Sequence, residues 1–269
     1  MATFVEEGPL HFEGTLEERV EKLKELIVEN RTVFFGGAGV STASGIPDFR
    51  SADGLYNQKN EFNVTPEYLL SRECLNHNPK MFYKFYRDKF DVRNYEPNEV
   101  HKKLAEMEQR GYLSGIITQN VDCLHQKAGS KNVAEIHGTI SKNYCSLCGA
   151  EYEEGYIFEN TEAIPRCTSC KKPMGFIRPR VTLYGENLPT EEMNKAFEYV
   201  EGNKEKNIPH ANLMIVGGTS LKVSPANQFV STYYGRYLVI MNREQTPFDS
   251  YADIVFREDI NEVFKLLTF

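Results

Sequence analysis

The sequence predicts an α/β protein, with a Rossmann-like parallel sheet that carries helices on both faces and a smaller module attached to it. Three observations predict this class. Short runs of apolar residues alternate along the chain with helical segments, as in parallel strands that are buried on both faces. A glycine-rich stretch, FGGAGV, closes the first of these runs. Two CxxC pairs lie in a segment that breaks the alternation and indicates the smaller module.

The large unit is predicted to begin with a helix. Thr15 and Glu18 have the spacing of a capping box, and the helix runs to about residue 30 with an inner face of Val20, Leu23, Leu26 and Ile27. A second clear helix covers residues 98–109 and ends at Gly111. The predicted strands cover residues 31–35, 115–118, 213–216, 237–241 and 254–256, and an amphipathic helix ending near Leu267 follows the last.

Two segments interrupt this alternation. Residues 52–96 are rich in aromatic side chains and are predicted to form a helical insertion, and residues 141–178 contain the paired cysteines. We expect both to lie at the edge of the sheet where strands end and ligands bind. The predicted domains are therefore a Rossmann-like domain of residues 1–51, 97–140 and 179–269, and a small domain of residues 52–96 and 141–178.

Composition and charge exclude several classes of protein. The 269 residues are 41% hydrophobic and 26% charged, with a net charge of −7, which argues against nucleic acid or an anionic membrane as the main partner. No apolar run approaches the ~20 residues of a membrane span. The N-terminal MATFVEEGPL lacks the pattern of a signal peptide. We therefore expect a soluble, cytoplasmic protein.

Four of the six cysteines have the spacing of a metal site. Eighteen residues separate the pair Cys145 and Cys148 from the pair Cys167 and Cys170, which predicts a tetrahedral four-thiolate zinc site. Four thiolates leave no open coordination position, so this zinc is predicted to be structural. If the cysteines instead formed two redox pairs, each pair would lie at the N-terminus of a helix. Here Gly149 and the sequence Lys-Lys-Pro at 171–173 follow the pairs and indicate turns. Cys74 and Cys123 are predicted to be ordinary core or helix residues.

The glycine loop after the first strand is the first candidate for a ligand site. Gly36, Gly37 and Gly39 precede a predicted short helix, so backbone N–H groups can face a pyrophosphate there. The dinucleotide spacing GxGxxG fails because Thr42 stands where the third glycine belongs. A second glycine loop, at 217–220, ends another strand. On spacing alone, a nucleotide site and ligand-free tight turns both remain open.

Polar residues after the second strand are the next candidates. The sequence TQNVD at 118–122 ends that strand, and it is either a sugar- or amide-binding segment or a solvated helix cap. His137 is either a general base, because neutral imidazole suits that role near pH 7, or a packing residue. His125 is predicted to be structural.

Together these motifs resemble those of the sirtuins, a family of NAD-dependent protein lysine deacylases, from about Val20 to Leu267. The stretches that carry the resemblance are GAGVSTASGIPDFR at 37–50, TQNVDCLHQKAG at 118–129, HG at 137–138, the four cysteines, RPRVTLYGE at 178–186 and GTSLKVSP at 218–225. The compact length is similar to that of bacterial stand-alone members. The chain departs from the family pattern at Gly36, where Thr is common, and at Thr182 and Tyr184, where an aliphatic residue and Phe are usual.

The resemblance implies a reaction in which NAD is consumed as an electrophile. The acyl oxygen of the substrate attacks the anomeric carbon as nicotinamide leaves, and His137 acts as base toward a ribose hydroxyl, with Asn120 as a second catalytic residue. The products are nicotinamide, the free lysine and O-acyl-ADP-ribose. The NAD contacts that the resemblance implies are Ala38 and Thr42 at the phosphate and ribose, Asp48, Phe49 and Arg50 over the nicotinamide ribose, Gln119, Asn120, Val121 and Asp122 at the ribose and amide, and Thr219, Ser220, Asn242 and Asp259 at the adenosine.

The resemblance also implies the partners. NAD is the co-substrate, one zinc is structural, and an acyl-lysine peptide binds as an added strand between residues 186–187 and 222–224. We expect a monomer that prefers neutral acyl groups, acetyl first, because Lys89 replaces the Arg of the Tyr-x-x-Arg pair of desuccinylating sirtuins. Tyr86 either fits the Tyr of that pair or packs in the aromatic core of the insertion. The alternative function is a protein ADP-ribosyltransferase that uses the same NAD site. A further alternative is a zinc-ribbon binding module for nucleic acid or protein, and the acidic charge disfavours its nucleic-acid version. A conventional NAD dehydrogenase is disfavoured by the failed dinucleotide spacing.

Overall fold

The computed structural model describes residues 9–49, 54–57, 61–170 and 175–269. The strands in these ranges are β1 Thr32–Gly36, β2 Leu113–Thr118, β3 Val133–Glu135, β4 Gly138–Cys145, β5 Glu151–Glu153, β6 Ile177–Val181, β7 Leu213–Gly217, β8 Tyr237–Met241 and β9 Ile254–Phe256. The helices are α1 Leu16–Glu29, α2 Pro66–Leu69, α3 Arg72–His77, α4 Pro79–Phe90, α5 Glu99–Gln109, α6 Leu124–Lys127, α7 Gly155–Glu159, α8 Thr190–Glu201, α9 Gln228–Ser231 and α10 Ile260–Leu266. None of the helices in the described ranges is long and apolar enough to cross a membrane.

The main sheet has six parallel strands in the order β3-β2-β1-β7-β8-β9. The chain leaves β1 toward β2 and β3 on one side, and later adds β7, β8 and β9 on the other. The strand order therefore reverses between β1 and β7, and the loops that follow these two strands part at this point. Such a switch point is where open α/β sheets bind ligands.

Helices cover both faces of this sheet. Successive residues of β1 point to opposite sides, so Phe34 packs with α1, α5 and α10 while Phe35 packs with α8 and α9. The capping box at Thr15 and Glu18 is present, and the predicted inner face of α1 is buried at all its positions. The predicted fold class is confirmed. Strands β3 to β6 and helix α8 were not predicted. The four strands were missed because they are short or polar and lack an apolar run.

A second, smaller sheet of three antiparallel strands has the order β5-β4-β6. The helices α2, α3, α4 and α7 share one buried cluster with the cysteine segment. The Tyr83 hydroxyl donates to the Ile177 carbonyl at 2.6 Å, and Arg87 Nε donates to the Ile157 carbonyl at 2.8 Å. The helical insertion and the cysteine segment therefore pack as one body, and β4 connects that body to His137, the residue that precedes it.

Two buried histidines meet where α5 packs against α6. The ring centroids of His101 and His125 are 4.7 Å apart, and Phe34 packs against the His125 ring. In the part of the chain that the structure describes, both ring nitrogens of His125 and Nε2 of His101 have no hydrogen-bond partner. Burial lowers the pKa of His101 to about 4 and that of His125 well below its ordinary value. Both rings are therefore neutral in the folded protein near pH 7, as the structural reading of His125 requires.

This pair predicts a loss of stability in acid. The unfolded chain takes up protons on both histidines below about pH 6.5, whereas the folded chain does not until about pH 4 for His101. The free energy of unfolding should therefore fall as the pH is lowered from 6.5 toward 4, by up to about 1.4 kcal/mol per pH unit for each histidine. Urea denaturation at a series of pH values measures this slope.

The variant that isolates the effect is His125→Leu, which removes two buried polar atoms that lack partners. We expect its free energy of unfolding to decline less steeply with acid than that of the wild type. Any acid sensitivity of the cysteine site is shared by both proteins and cancels in the comparison. His77→Gln, at an exposed position of α3, is the matched control. Equal slopes for the wild type and His125→Leu would contradict the prediction.

Candidate functional site

A cavity of about 750 Å³ opens at the carboxyl ends of the main strands, beside the smaller body. This volume lies in the range of sites for small molecules and cofactors. The predicted site residues that line it are Ala38, Thr42, Asp48, Phe49, Gln119, Asn120, Val121, Asp122, His137, Thr219, Ser220, Asn242 and Asp259. Arg50, also predicted as a contact, lies outside the described residues.

The glycines of the two loops allow the loops to approach each other closely. A Cβ on Gly39 would lie 2.8 Å from the Gly218 Cα, and a Cβ on Gly37 would lie 2.7 Å from the Thr219 Cβ. The N–H of Gly37 donates to the Gly217 carbonyl at 3.1 Å, and that of Gly39 to Gly218 at 2.8 Å. These two amides therefore bind the neighbouring loop, and of the two readings that the spacing left open this favours the tight turn for them. Two 3₁₀ turns follow, Ala38–Val40 and Thr42–Ser44, in place of the predicted short helix.

Ser41 joins the glycine loop to the segment after β2. Its hydroxyl donates to Asp122 Oδ2 at 2.6 Å and accepts from Asn120 Nδ2 at 3.0 Å. Asn120 Nδ2 also donates to the Gly37 carbonyl at 3.1 Å, and Asp122 Oδ1 accepts from the Leu124 N–H at 3.0 Å. Burial raises the pKa of Asp122, and the Ser41 hydrogen bond opposes this. The network fixes the orientation of the Asn120 and Asp122 side chains toward the cavity.

Sequence reasoning missed Ser41. Its position between Ala38 and Thr42 in the quoted motif was the available signal, but the hydroxyl acts on residues that lie about 80 positions later in the chain. Spacing along the chain does not show such a contact. The register of β1 against β2, which places Gly36 beside Thr118, brings the two loops together.

A second contact spans the switch point. Gln119 Nε2 donates to Thr219 Oγ1 at 3.1 Å, and so joins the loop after β2 to the loop after β7. Thr219 is buried, and its hydroxyl also accepts from the Leu221 N–H at 3.3 Å. The predicted residues of both loops are therefore held at one place, where the two halves of the sheet diverge.

His137 lies between β3 and β4 and faces the same cavity. Its Nδ1 lies 2.9 Å from the Gln119 carbonyl oxygen. A carbonyl can only accept, so we assign the ring proton to Nδ1, which leaves the lone pair of Nε2 available. Burial lowers the pKa of His137, and the Gln119 carbonyl opposes the shift. The imidazole is therefore neutral and correctly protonated for a general base near pH 7.

Charged and amide groups surround the end of the cavity at β8 and β9. Asn242 follows β8, and its Nδ2 donates to the Glu244 carbonyl at 2.9 Å. Asp259 caps α10 by accepting from the Asn261 N–H at 2.8 Å, and it forms an ion pair with Arg243. Arg243, Glu244 and Glu258 also line the cavity and were not predicted. The rule that singled out Asn242, that ligand residues follow strand ends, applies equally to them.

The segment after β6 forms another wall. Glu186 pairs with Arg178 Nη2 at 2.7 and 2.9 Å and accepts from the Leu183 N–H at 3.1 Å. Its carboxylate thus fixes the turn to which the sirtuin resemblance assigns peptide binding. Glu186, Val223 and Ser224 line the cavity, whereas Asn187 and Lys222 do not belong to its lining.

The four predicted metal ligands meet in the smaller body. The Sγ atoms of Cys145, Cys148, Cys167 and Cys170 all lie within 4.8 Å of one another. The Cys148 and Cys170 amides point at the sulfurs of Cys145 and Cys167, at 3.5 and 3.1 Å. Clustered thiols that accept backbone N–H groups suit a tetrahedral Zn²⁺. The donor set therefore fits zinc, and Cys74 and Cys123 stand apart from it.

Comparisons with known proteins agree with this geometry. The Sir2 family model matches residues 37–225. An NAD-dependent protein deacetylase of Clostridium perfringens is 43% identical over 250 residues, which cover 92% of this chain and 98% of that protein.

Two solved structures share the fold. One is a Sir2 protein with a deacetylated p53 peptide and 3′-O-acetyl ADP ribose, at a TM-score of 0.80 and 34% identity over 92% of this chain and 96% of that one. The other is a Sir2 protein with a p53 peptide and NAD⁺, at a TM-score of 0.77 and 36% identity over 91% and 95%. The predicted resemblance is confirmed. With a family model that matches residues 37–225 and relatives of this identity and coverage, the chain belongs to the Sir2, or sirtuin, family.

Proposed function

We propose that this protein removes acyl groups, acetyl first, from protein lysine side chains, with NAD as the consumed co-substrate. NAD-dependent protein deacetylase is the activity of its bacterial relatives. The observation that carries the proposal is the placement of His137. Its ring is oriented by the Gln119 carbonyl and faces a cavity of dinucleotide size. Asn120 and Asp122 are fixed in the lining of the same cavity.

The residues around this cavity have different roles in the proposed reaction. Bound NAD would supply an electrophilic anomeric carbon. His137 Nε2 would accept the proton of a ribose hydroxyl, and Asn120 and Asp122 would offer the polar groups beside it. Phe49 lines the cavity beside Asp48, where its ring would shield the reacting carbon from water. Asn242, Asp259 and Thr219 offer polar groups at the adenosine end.

The substrate peptide has a matching wall. The turn at Glu186 and the segment with Val223 and Ser224 both line the cavity, and a peptide between them would add a strand through main-chain hydrogen bonds. One chain supplies all these surfaces, so the proposed reaction requires no second copy. The expected monomer and cytoplasmic location remain predictions from the sequence, as do the domain boundaries.

A product analysis tests the function and its alternative. The protein is incubated with NAD and an acetyl-lysine peptide, and the products are separated by mass. Deacylation gives nicotinamide, O-acetyl-ADP-ribose and the peptide with a free lysine in equal amounts. ADP-ribosylation gives nicotinamide and ADP-ribose attached to protein, with the acetyl group retained. Nicotinamide release without loss of the acetyl group would contradict deacylation.

The preference for neutral acyl groups rests on α4. Tyr86 is 1% exposed and stacks with Phe82, Phe90 and Phe158 at centroid distances of 5.1 to 5.6 Å, so it packs in the aromatic core and does not line the cavity. Lys89 does line the cavity, and its Nζ lies 3.1 Å from Asp88 Oδ2. The cation that could receive a succinyl carboxylate is therefore already paired.

We expect kcat/KM for a succinyl-lysine peptide to be at least about tenfold lower than for the acetyl-lysine peptide, because an unpaired carboxylate in an apolar tunnel is costly. A lysine also lacks the planar donor fork that matches a carboxylate. Turnover is measured on one peptide sequence that carries acetyl-, butyryl- or succinyl-lysine. A higher kcat/KM for the succinyl peptide would overturn the prediction.

Asp88→Asn sharpens this test, since it frees Lys89 without removing it. The succinyl-to-acetyl ratio of kcat/KM should then rise. Lys84→Arg is the control, because Lys84 lies on the same helix but pairs with Glu61 at the surface, at 2.6 Å. An unchanged ratio in Asp88→Asn would show that Asp88 does not set the preference.

A further inference from the structure

Two tyrosine hydroxyls meet at the edge of the cavity. Tyr56, in the short turn Leu55–Asn57, and Tyr184, in the segment after β6, both line it, and their hydroxyl groups are hydrogen-bonded to each other. Tyr184 is 43% exposed. The two residues lie 128 positions apart in the chain, so the bond joins two distant segments of the chain at the cavity.

Tyr56 is joined to the turn at Asp48 and Phe49. The N–H groups of Leu55 and Tyr56 donate to the Asp48 and Phe49 carbonyls at 2.8 and 2.9 Å. The Phe49 and Tyr56 rings pack edge to face, with centroids 5.6 Å apart. These backbone and ring contacts link the segment of Tyr56 to Asp48 and Phe49.

The backbone of Tyr184 is bound to the start of α3 and, through Thr182, to His137. Its N–H donates to the Leu70 carbonyl at 3.0 Å, and its carbonyl accepts from the Arg72 N–H at 3.0 Å. Two residues earlier, the Thr182 N–H donates to the His137 carbonyl at 2.8 Å. The Tyr184 hydroxyl is therefore presented from a backbone that is fixed relative to His137.

We propose that the Tyr56–Tyr184 hydrogen bond, called here the tyrosine clasp, positions the Asp48–Phe49 turn against the wall that carries His137. The proposal rests on the proposed function, since it assigns that turn to the NAD site. A turn that is already ordered loses less conformational freedom when a ligand binds. Tyr56 and Tyr184 are positioning residues, which act on NAD through Asp48 and Phe49.

Tyr184→Phe and Tyr56→Phe test the clasp, because each removes one hydroxyl and keeps the ring. We expect KM for NAD to rise about two- to tenfold in each variant, the effect of one ordinary hydrogen bond, with kcat nearly unchanged. The double variant should be no worse than either single one, because both singles remove the same bond. Amide hydrogen exchange at Leu55 and Tyr56 should become faster without any ligand. Tyr68→Phe, which removes a hydroxyl that accepts from Asn78, is the control and should change none of these.

Enzyme kinetics and amide hydrogen exchange distinguish a failure of the proposed function from a failure of the tyrosine clasp. A wild-type protein that is inactive with NAD and acetyl peptide would contradict the proposed function, and the exchange rates would still judge the clasp. An active wild type whose Tyr184→Phe and Tyr56→Phe variants keep its KM for NAD would overturn the clasp. Additive losses in the double variant, or exchange rates at Leu55 and Tyr56 equal to those of the wild type, would overturn it as well.

Discussion

The His137→Ala variant is expected to stay folded and bind NAD, but to lose turnover by at least about 10²-fold, the ordinary contribution of a general base. The structural reason is the neutral tautomer that the Gln119 carbonyl imposes, which leaves Nε2 as the proton acceptor. Because burial lowers the pKa of His137, the ring takes up a proton at a lower pH than an exposed histidine does. The acidic limb of kcat/KM should therefore lie below about pH 6.5.

The measurements are steady-state kinetics on an acetyl-lysine peptide, NAD binding by calorimetry, and thermal unfolding. His77→Ala, at an exposed position of α3, controls for the loss of an imidazole. Turnover like that of the wild type in His137→Ala would refute the catalytic role. A large drop in melting temperature together with lost NAD binding would instead indicate a packing residue.

The sequence predicted the large sheet well because its strands are apolar on both faces. The runs that became β1, β2, β7, β8 and β9 are buried almost throughout, and such runs stand out against amphipathic helices. The strand β4 was missed because GTISKNYC mixes buried and exposed positions. Its partners in the antiparallel sheet are set by the cysteine cluster and by tertiary packing, which no local pattern records.

Some residues of the site could likewise be predicted from the sequence, and others could not. Residues that follow strand ends, such as Gln119 and Asn242, were accessible because parallel strands share one edge for their carboxyl ends. The role of Gly37 and Gly39 was not, since their amides bind the β7 loop and their missing side chains make room for Gly218 and Thr219. Whether a glycine faces a phosphate or a neighbouring backbone depends on a contact that is distant in the chain.

Tyr86 is a side chain whose role could not be predicted from the sequence, because two roles were plausible for it. Its place in a family motif suggested a tunnel residue, and the sequence left packing in the aromatic core as the alternative. Three stacked aromatic neighbours, one of them Phe158 from the cysteine segment, now favour packing. The sequence could not decide between the two roles, because Phe158 lies 72 residues away and meets Tyr86 only through the fold.

Loss of the metal is expected to have the largest structural effect. In small zinc peptides a structural zinc contributes on the order of 10–16 kcal/mol to folding, and Cys145, its predicted ligand, is 1% exposed within the cluster that also holds α4 and Ile177. Cys145→Ala should therefore abolish zinc binding and collapse the smaller body. The parallel sheet should survive in part, because it has its own hydrophobic core on each face, one shared with α1, α5 and α10 and the other with α8 and α9. Activity should vanish, because Cys145 ends the strand β4 that begins directly after His137.

Zinc content, circular dichroism and deacetylation measure the three effects. Cys74→Ala, in the same buried cluster but outside the thiol group, is the matched control and should retain zinc. A fully active Cys145→Ala protein without bound zinc would refute the structural assignment.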